Sequence, residues 1–196
     1  MQKEIVIVNY QAGNLFSVQT ACSRLGYSTV VSSSPAVIAG ADKVIIPGVG
    51  NSGIAMSSLR EAGLACILPR LTQPVLGICL GMQIMYSHLE ESDEAGLGII
   101  SGSVKKFPTG ELPVPHMGWN RITGLTGPLF RDIDDGEWFY FVHSYMVDIG
   151  DNTIATCNYG SNFTAAAGRD NFFGCQFHPE KSGEAGSRVL KNFLEL

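Results

Sequence analysis

The segment Gly77-Ile78-Cys79-Leu80-Gly81 constrains the fold more than any other part of the sequence, because it places a thiol between two glycines. An apolar run from Val75 to Ile78 comes just before it, and apolar residues follow it at helical spacing: Leu80, Ile84, Met85 and Leu89. This order predicts a nucleophile elbow, a sharp strand-to-helix turn whose central side chain stands clear of the sheet. Glycines suit the two flanking positions because a Cβ there would crowd the turn.

Cys79 is therefore the candidate nucleophile. The helix predicted after it would direct free backbone N–H groups and the positive end of its dipole at the sulfur, which favours the thiolate. The alternative is a buried structural cysteine that is flanked by glycines by chance, in a chain with 23 glycines.

The candidate base lies near the C-terminus, where an apolar run ends in His178-Pro179-Glu180. Side chains two residues apart in a strand share a face, and a proline keeps the residue before it extended. We therefore expect the imidazole of His178 and the carboxylate of Glu180 to point the same way, with Glu180 fixing the tautomer of His178 and stabilising its charged form. The alternative is a surface turn with a solvated Glu180.

The other histidines are less suited to act as the base. His88 falls at the end of the predicted elbow helix, where a cation would cap the helix. His116 follows Pro113-Val114-Pro115 and is expected in a stiff loop that could form a contact surface. His143 follows an aromatic strand and has no carboxylate two residues on, so a satisfied, partly buried histidine is expected.

The hydrophobic pattern predicts an α/β fold in one domain, residues 1–196, with strands and helices alternating through the first half. The predicted strands are Ile5 to Val8, Tyr27 to Val31, Val44 to Ile46, Val75 to Ile78, Ser103 to Phe107, Trp119 to Ile122, Trp138 to Val142, Thr153 to Asn158, Thr164 to Gly168 and Phe172 to Phe177. The predicted helices, besides the one after Cys79, are Leu15 to Leu25, Pro35 to Ile38, Ile54 to Leu59, Leu64 to Leu71 and Ala185 to Leu194. The alternation implies a mostly parallel central sheet flanked by helices, with its chemistry at the carboxyl ends of the strands.

Composition excludes several classes of function. The 45% of hydrophobic and 16% of charged residues are typical of a soluble globular protein. A net charge of −5, with no basic cluster beyond Lys105-Lys106, argues against nucleic acid or an anionic membrane as a partner. We expect a cytoplasmic protein, because no apolar stretch reaches the ~18 residues of a transmembrane helix and the N-terminus lacks a signal-peptide core. Its five cysteines form no C-x-x-C pair, so we expect free thiols and neither a metal nor a cofactor.

Pro47-Gly48-Val49-Gly50 follows the third strand, at the edge of the sheet where the elbow is expected. Acyl chemistry at Cys79 passes through an oxyanion, which needs N–H donors already aimed at it. Leu80, the residue after the nucleophile, offers one donor, and this glycine-rich loop could offer another. A simple strand-to-helix turn would account for the glycines equally well.

The chain contains three motifs that resemble those of the class I, or triad, glutamine amidotransferases: Pro47 to Gly50, Gly77 to Gln83 and Gln176 to Ser182. Within this family, the segments Asn9 to Leu15, Pro115 to Asn120 and Phe141 to Tyr145 are similar to those of the glutaminase subunits of imidazole glycerol phosphate synthase, from histidine biosynthesis. The resemblance covers essentially the whole chain.

The resemblance implies a triad of Cys79, His178 and Glu180 that converts glutamine to a glutamyl thioester and ammonia. It implies an oxyanion hole formed by Leu80, Val49 and Gly50, with a peptide at Val49 that turns when the partner binds its own ligand. Four further positions would hold glutamine: Gly48, Gln83, Ser144 and Tyr145.

The chain is the size of one glutaminase domain, so we expect the ammonia acceptor to lie on another chain. The resemblance identifies this partner as a cyclase subunit with a (β/α)₈ barrel, in a heterodimer. Five residues match positions at or near that interface: Asn14, Trp119, Asn120, Tyr140 and Lys181. For Trp119 the alternative is core packing, and for Lys181 it is a solvated charge.

Other functions stay open at this point. Some relatives amidate sugars with the same triad, and many relatives carry an aspartate where this chain has Asn9-Tyr10. A stand-alone cysteine hydrolase, such as a γ-glutamyl hydrolase or an esterase, would turn over without a partner and would not need Gln83. A non-catalytic binding module would keep its role after Cys79→Ala.

Overall fold

The first half of the chain alternates strands with helices, and the second half consists mainly of strands. The structure is a computed structural model that describes residues 4–10, 14–108, 110 and 112–196. Its strands are β1 (Ile5–Val8), β2 (Thr29–Ser32), β3 (Lys43–Ile46), β4 (Val75–Ile78), β5 (Tyr86–Leu89), β6 (Glu94–Ala95), β7 (Ile100–Lys106), β8 (His116–Thr123), β9 (Trp138–His143), β10 (Tyr145–Val147), β11 (Thr153–Tyr159), β12 (Ser161–Arg169) and β13 (Phe172–Cys175). Its helices are α1 (Leu15–Arg24), α2 (Pro35–Gly40), α3 (Ser52–Glu61), α4 (Leu80–Gln83) and α5 (Gly183–Glu195), with 3₁₀-helices at Leu68–Arg70, Pro128–Phe130 and Pro179–Lys181.

The main sheet has the strand order β2-β1-β3-β4-β13-β12-β11-β8-β9. Its strands from β2 to β13 pair in parallel, and those from β13 to β9 pair antiparallel. The predicted parallel sheet is therefore the first half of a mixed sheet. Cys175 at the end of β13 lies opposite Ile78 at the end of β4, so Gln176 and Cys79 leave the sheet side by side at its carboxyl edge.

The core lies on both faces of this sheet, as expected where helices cover a parallel sheet. Ile5 and Ile7 of β1 face one apolar cluster, which includes Val189 and Phe193 of α5. The alternate residues of β1 face a second cluster, which includes Met56 and Leu59 of α3. None of the helices in the described part of the chain has the length and apolar character that crossing a membrane requires.

A second, smaller sheet has the order β10-β7-β5-β6, and most of it was not predicted. The predicted elbow helix is wrong beyond Gln83, because the chain turns after α4 and enters β5, which pairs with β7 and β6. His88 consequently lies in a strand and caps no helix. The apolar spacing after Cys79 fits a helix, but strand pairing with β7 overrides it.

The predicted helix from Leu64 to Leu71 is also wrong, since only Leu68–Arg70 is helical and as a 3₁₀ turn. Pro69 lies inside this segment and has no N–H to donate, so it cannot continue an α-helix there. The other predicted helices are confirmed, and each predicted strand corresponds to an observed one with shifts at the ends.

Candidate functional site

Cys79 lies in the turn between β4 and α4 with φ 53° and ψ −110°, a conformation that side chains other than glycine rarely adopt. The flanking glycines have the predicted steric role. A Cβ at Gly77 would lie 2.6 Å from the Gly81 carbonyl oxygen, and a Cβ at Gly81 would overlap the Ile46 carbonyl. The nucleophile elbow is confirmed. The helix α4 that follows the elbow is a single turn, so only one turn of aligned peptide dipoles directs its positive end at the sulfur.

The side chain of Cys79 is 6% exposed and contacts Gln176, a residue that sequence reasoning quoted in a motif but gave no role. Gln176 Nε2 donates to Cys79 Sγ at 3.6 Å, and Gln176 Oε1 accepts from Gln83 Nε2 at 2.9 Å. The sequence offered a signal for Gln176, because it lies two residues before His178 at the end of a run predicted as a strand, where alternate residues share a face.

His178 and Glu180 form the predicted pair. His178 Nδ1 lies 2.8 Å from Glu180 Oε1, and both side chains are only 2% exposed. Glu180 reaches the imidazole from the 3₁₀ turn Pro179–Lys181, so the predicted strand alternation was the wrong reason for a correct contact. Two atoms of the pair, His178 Nε2 and Glu180 Oε2, are buried without a hydrogen-bond partner in the described part of the chain.

Hydrogen bonds also fix the backbone of His178. The His178 N–H donates to the Tyr140 carbonyl at 2.9 Å, and Ser182 Oγ donates to the His178 carbonyl at 2.6 Å. Burial lowers the pKa of His178, but its interactions with Cys79 and Glu180 outweigh burial and raise the pKa to about 9. At neutral pH the ring is therefore an imidazolium beside the sulfur, and it can give a proton to a leaving group.

A cleft of about 350 Å³ opens over Cys79, within the size range of small-molecule sites. It is lined by Val49, Gly50, Cys79, Leu80, Gln83, Glu91, Pro115, Val142, His143, Ser144 and Tyr145. Most of the oxyanion and substrate positions that the resemblance implies are thus brought together around the thiol.

The Pro47 to Gly50 loop contacts the elbow directly. A Cβ at Gly48 would lie 2.6 Å from the Gly81 nitrogen and 2.7 Å from the Leu80 Cβ, so only glycine permits this approach. Gly50 has φ +107°, and Val49 is 40% exposed. The loop therefore stands where it could deliver a donor to the oxyanion, and the roles of Leu80, Val49 and Gly50 stay predictions.

Gln83 is buried and joins two walls of the cleft, because its Nε2 donates to the Tyr145 carbonyl at 3.1 Å as well as to Gln176. Glu91 was missed in the sequence, where it looks like any solvated glutamate. Its Oε2 accepts from the Ser52 N–H at 2.7 Å, so Glu91 connects the cleft to the first turn of α3. Among the described residues that line the cleft, it is the one acidic side chain.

The remaining histidines do not compete with His178. His116 is not in the stiff loop that was predicted, but begins β8 and is 2% exposed, because the rings of Phe141 and Tyr159 stack on it. His143 is buried and hydrogen-bonded, as predicted. Burial lowers the pKa of His116 to about 4 and that of His143 to about 3, so both are neutral at pH 7.

The outer face of β8 and β9 carries exposed aromatic side chains. Trp119 is 53% exposed, which excludes core packing, and its ring lies edge-on to Tyr140 at 6.1 Å. Lys181 Nζ lies 5.9 Å from the centre of the Tyr140 ring. Asn120 points to the opposite side of β8, where it bonds the Asn158 carbonyl, and Asn14 caps α1 by accepting from Ser17 N–H. Their part in a partner interface stays a prediction.

Groups of three or more histidine, cysteine or acidic side chains that could hold a metal ion are absent from the described residues. All five cysteines are free. The absence of a metal and of a cofactor from the chemistry stays a prediction.

Comparison with known proteins places this site in a family. Residues 6–196 match the model of the glutamine amidotransferase class-I family. The proteins named imidazole glycerol phosphate synthase subunit HisH from Pectobacterium atrosepticum and Escherichia coli K12 are 52% and 51% identical to the chain. Each alignment covers 98% of this chain, with 100% and 99% of the respective relative.

Solved structures agree on the fold. A structure described as a glutamine amidotransferase superposes with a TM-score of 0.76 at 19% identity and covers 97% of both chains. PurLQS from Thermotoga maritima superposes with a TM-score of 0.76 at 18% identity, covering 100% of this chain and 99% of that one. The chain therefore belongs to the class-I glutamine amidotransferase family, within which HisH subunits of imidazole glycerol phosphate synthase are relatives that share about half of its residues.

Proposed function

We propose that this chain is the glutaminase subunit of a cytoplasmic imidazole glycerol phosphate synthase, which hydrolyses glutamine and passes the ammonia to a cyclase subunit. The observation that carries the proposal is the buried His178–Glu180 pair, with its free Nε2, next to a thiol on a nucleophile elbow at the base of a cleft. The near-complete alignment with HisH proteins supports the choice of synthase.

The reaction follows from these groups. The Cys79 thiolate attacks the side-chain carbonyl carbon of glutamine, and a carbon–sulfur bond forms while the carbonyl oxygen becomes an oxyanion. His178 Nε2 gives its proton to the amide nitrogen, the carbon–nitrogen bond breaks, and ammonia leaves. A water molecule then attacks the thioester, His178 takes its proton, and the thiolate departs from glutamate.

Glu180 keeps the proton of His178 on Nδ1 and balances the imidazolium charge, so that Nε2 remains available for proton transfer. The N–H groups of Leu80 and of the Val49–Gly50 segment stabilise the oxyanion. Glu91 supplies a carboxylate for the α-ammonium group of glutamine, and the Ser144–Tyr145 backbone lies beside it in the cleft.

The ammonia acceptor belongs to a partner, a cyclase subunit with a (β/α)₈ barrel. The outer face of β8 and β9, with Trp119, Tyr140 and Lys181, supports a docking role because aromatic and basic side chains are enriched at the energetic centres of interfaces. The resemblance also implies Asn14 and Asn120 for this interface, although the Asn120 side chain turns to the other side of β8.

The test is glutamate release from glutamine by the purified chain, alone and with a cyclase subunit and its nucleotide ligand. The expected result is weak activity alone, a steep rise in the complex, and none with Cys79→Ala. Full activity alone would instead indicate a stand-alone hydrolase. Inactivity in both states would contradict the proposal and redirect the search to sugar-amidating partners.

A further inference from the structure

Two buried histidines outside the triad are hydrogen-bonded to each other at the wall of the cleft. His116 Nδ1 lies 3.0 Å from His143 Nε2. His143 Nδ1 lies 2.7 Å from the Tyr145 carbonyl oxygen, and His116 Nε2 lies 3.3 Å from Asn120 Nδ2. The triad uses neither ring, yet His143 lines the cleft.

The hydrogen positions in this chain of contacts follow from its two ends. A carbonyl oxygen only accepts, so His143 must carry its proton on Nδ1, and Nε2 of the neutral ring must accept. His116 must then donate from Nδ1 and accept at Nε2. The donor for that nitrogen is the amide of Asn120, whose orientation is fixed because its Oδ1 accepts from the Arg121 N–H at 2.8 Å and its Nδ2 donates to the Asn158 carbonyl at 2.9 Å.

Packing holds both rings in place. His116 lies between the rings of Tyr159 and Phe141, with centroid distances of 4.0 Å and 4.8 Å. His143 contacts Phe107 and Phe163 at 5.1 Å and 5.2 Å. Burial lowers the pKa of both histidines, and for His143 it outweighs the hydrogen bond to the Tyr145 carbonyl, which raises the pKa, so the neutral forms that the bonding pattern requires prevail at pH 7.

This series of hydrogen bonds ends at the Tyr145 carbonyl, which is also bonded to a residue that leads to Cys79. The Tyr145 oxygen accepts from both His143 Nδ1 and Gln83 Nε2, and Gln83 is bonded to Gln176, whose amide reaches Cys79 Sγ. The neighbouring Ser144 carbonyl accepts from the Phe107 N–H at 3.0 Å. The Ser144–Tyr145 wall of the cleft is thus fixed through its backbone oxygens.

We propose that Asn120, His116 and His143 form a hydrogen-bond relay of fixed direction that positions the Tyr145 carbonyl and, with it, the Ser144–Tyr145 wall that binds glutamine. His116 and His143 are positioning residues, and they act through the backbone without touching the reacting atoms. The inference rests on the proposed function only in naming glutamine as the ligand. Asn120 follows Trp119 in β8, so the relay starts directly behind the proposed partner face.

The first test does not depend on activity. Nitrogen-15 NMR of the histidine rings at pH 7 reports which nitrogen carries the proton, and variants of each histidine assign the signals. We expect Nδ1–H tautomers for both His116 and His143 in the full chain, although Nε2–H prevails for free histidine in solution. An Nε2–H tautomer or a charged ring at either position would overturn the relay, whatever the chain catalyses.

The second test measures glutamine turnover in the complex with the cyclase subunit. His143→Phe keeps a ring but removes the donor, and we expect KM for glutamine to rise about tenfold with kcat within about threefold, since one buried hydrogen bond to the wall is lost. His143→Asn places an amide near the Nδ1 position and should recover much of this loss. His116→Phe should raise KM in the same direction, while the His143 proton should stay on Nδ1 because the Tyr145 carbonyl still accepts it.

Tyr159→Phe is the matched control, because it keeps the ring on His116 and removes only the hydroxyl bond to the Pro113 carbonyl. It should leave KM and both tautomers unchanged. A KM for His143→Phe within twofold of the wild type would refute the positioning role. If the wild-type complex itself does not hydrolyse glutamine, the proposed function fails while the tautomers still decide the relay.

Discussion

Gln176 donates its side-chain amide to Cys79 Sγ at 3.6 Å while its own oxygen accepts from Gln83 at 2.9 Å. The nucleophile therefore has one oriented donor whose side chain is fully buried. An N–H group aimed at sulfur stabilises a thiolate more than a thiol.

Gln176→Glu should lower kcat/KM for glutamine at least about tenfold, because a carboxylate replaces the donor beside the sulfur and disfavours the thiolate. The bond from Gln83 is retained, since a carboxylate oxygen still accepts. The rate of Cys79 alkylation by iodoacetamide should fall in parallel. An unchanged alkylation rate would show that Gln176 does not tune the thiol, and Gln73→Glu, at a partly exposed glutamine outside the cleft, serves as the control.

The shifted pKa values of the histidines predict that the free energy of unfolding is highest near pH 6.5. The pKa of His178 is raised to about 9, so its folded form binds a proton that the unfolded chain loses above pH 6.5, and stability falls as pH rises toward 9. The pKa of His143 is lowered to about 3, so the unfolded chain binds the extra proton below pH 6.5 and stability falls toward acid.

Urea unfolding between pH 5 and 8.5 measures the free energy of unfolding along both limbs of this profile, the acid limb below pH 6.5 and the alkaline limb above it. At about 1.4 kcal/mol per pKa unit, His178 should cost roughly 2–3 kcal/mol between pH 6.5 and 8.5, and His143 about 2 kcal/mol between pH 6.5 and 5. Cys79→Ala should make the alkaline limb shallower and His143→Phe the acid limb, to which His116, with a pKa that burial lowers to about 4, still contributes. The range stops at pH 8.5 because burial also raises the pKa of Cys22 and Cys157. Stability that rises from pH 6.5 to 8.5 would contradict the assignment for His178.

The elbow was predictable because its requirement is local: Gly77 and Gly81 must lack a Cβ wherever the rest of the chain lies. The strand β5 was not predictable in this way. Its residues follow a helical apolar spacing, and only pairing with β7, a dozen residues further on, makes them a strand. The burial of His116 likewise depends on rings that are remote in the sequence, and Glu91 acquires its place in the cleft only through the fold.

Gly81→Ala should destabilise the fold by about 3 kcal/mol or more, because the added methyl overlaps the Ile46 carbonyl in a segment that cannot shift without moving β3 or Cys79. Gly40→Ala is the control, since a Cβ at the end of α2 meets no atom within 4 Å. That change should be neutral or stabilise by up to about 1 kcal/mol. Equal urea midpoints for the two variants would mean that the elbow backbone is free to relax.

Trp119→Ala should weaken binding of the cyclase subunit by about 2 kcal/mol or more, as expected for an exposed aromatic residue at the centre of an interface. Glutaminase activity of the isolated chain should stay at its low level, because Trp119 lies on the outer face of β8 and does not line the cleft. Isothermal titration calorimetry measures the affinity. Ile149→Ala, at a position 52% exposed outside β8 and β9, should bind normally, and equal losses for both variants would argue against this face.

Glu91→Gln should raise KM for glutamine about tenfold or more while kcat changes little, because the carboxylate that would hold the α-ammonium group is lost and the chemistry at Cys79 is not touched. The glutamine side chain retains an acceptor for the Ser52 N–H, so α3 should stay in place. Glu90→Gln is the matched control, since Glu90 accepts from the Lys106 N–H and does not line the cleft. Steady-state kinetics in the complex separates the two: a KM that rises equally in both variants would indicate a general charge effect, whereas a rise confined to Glu91→Gln would identify the carboxylate that recognises the amino-acid end of the substrate.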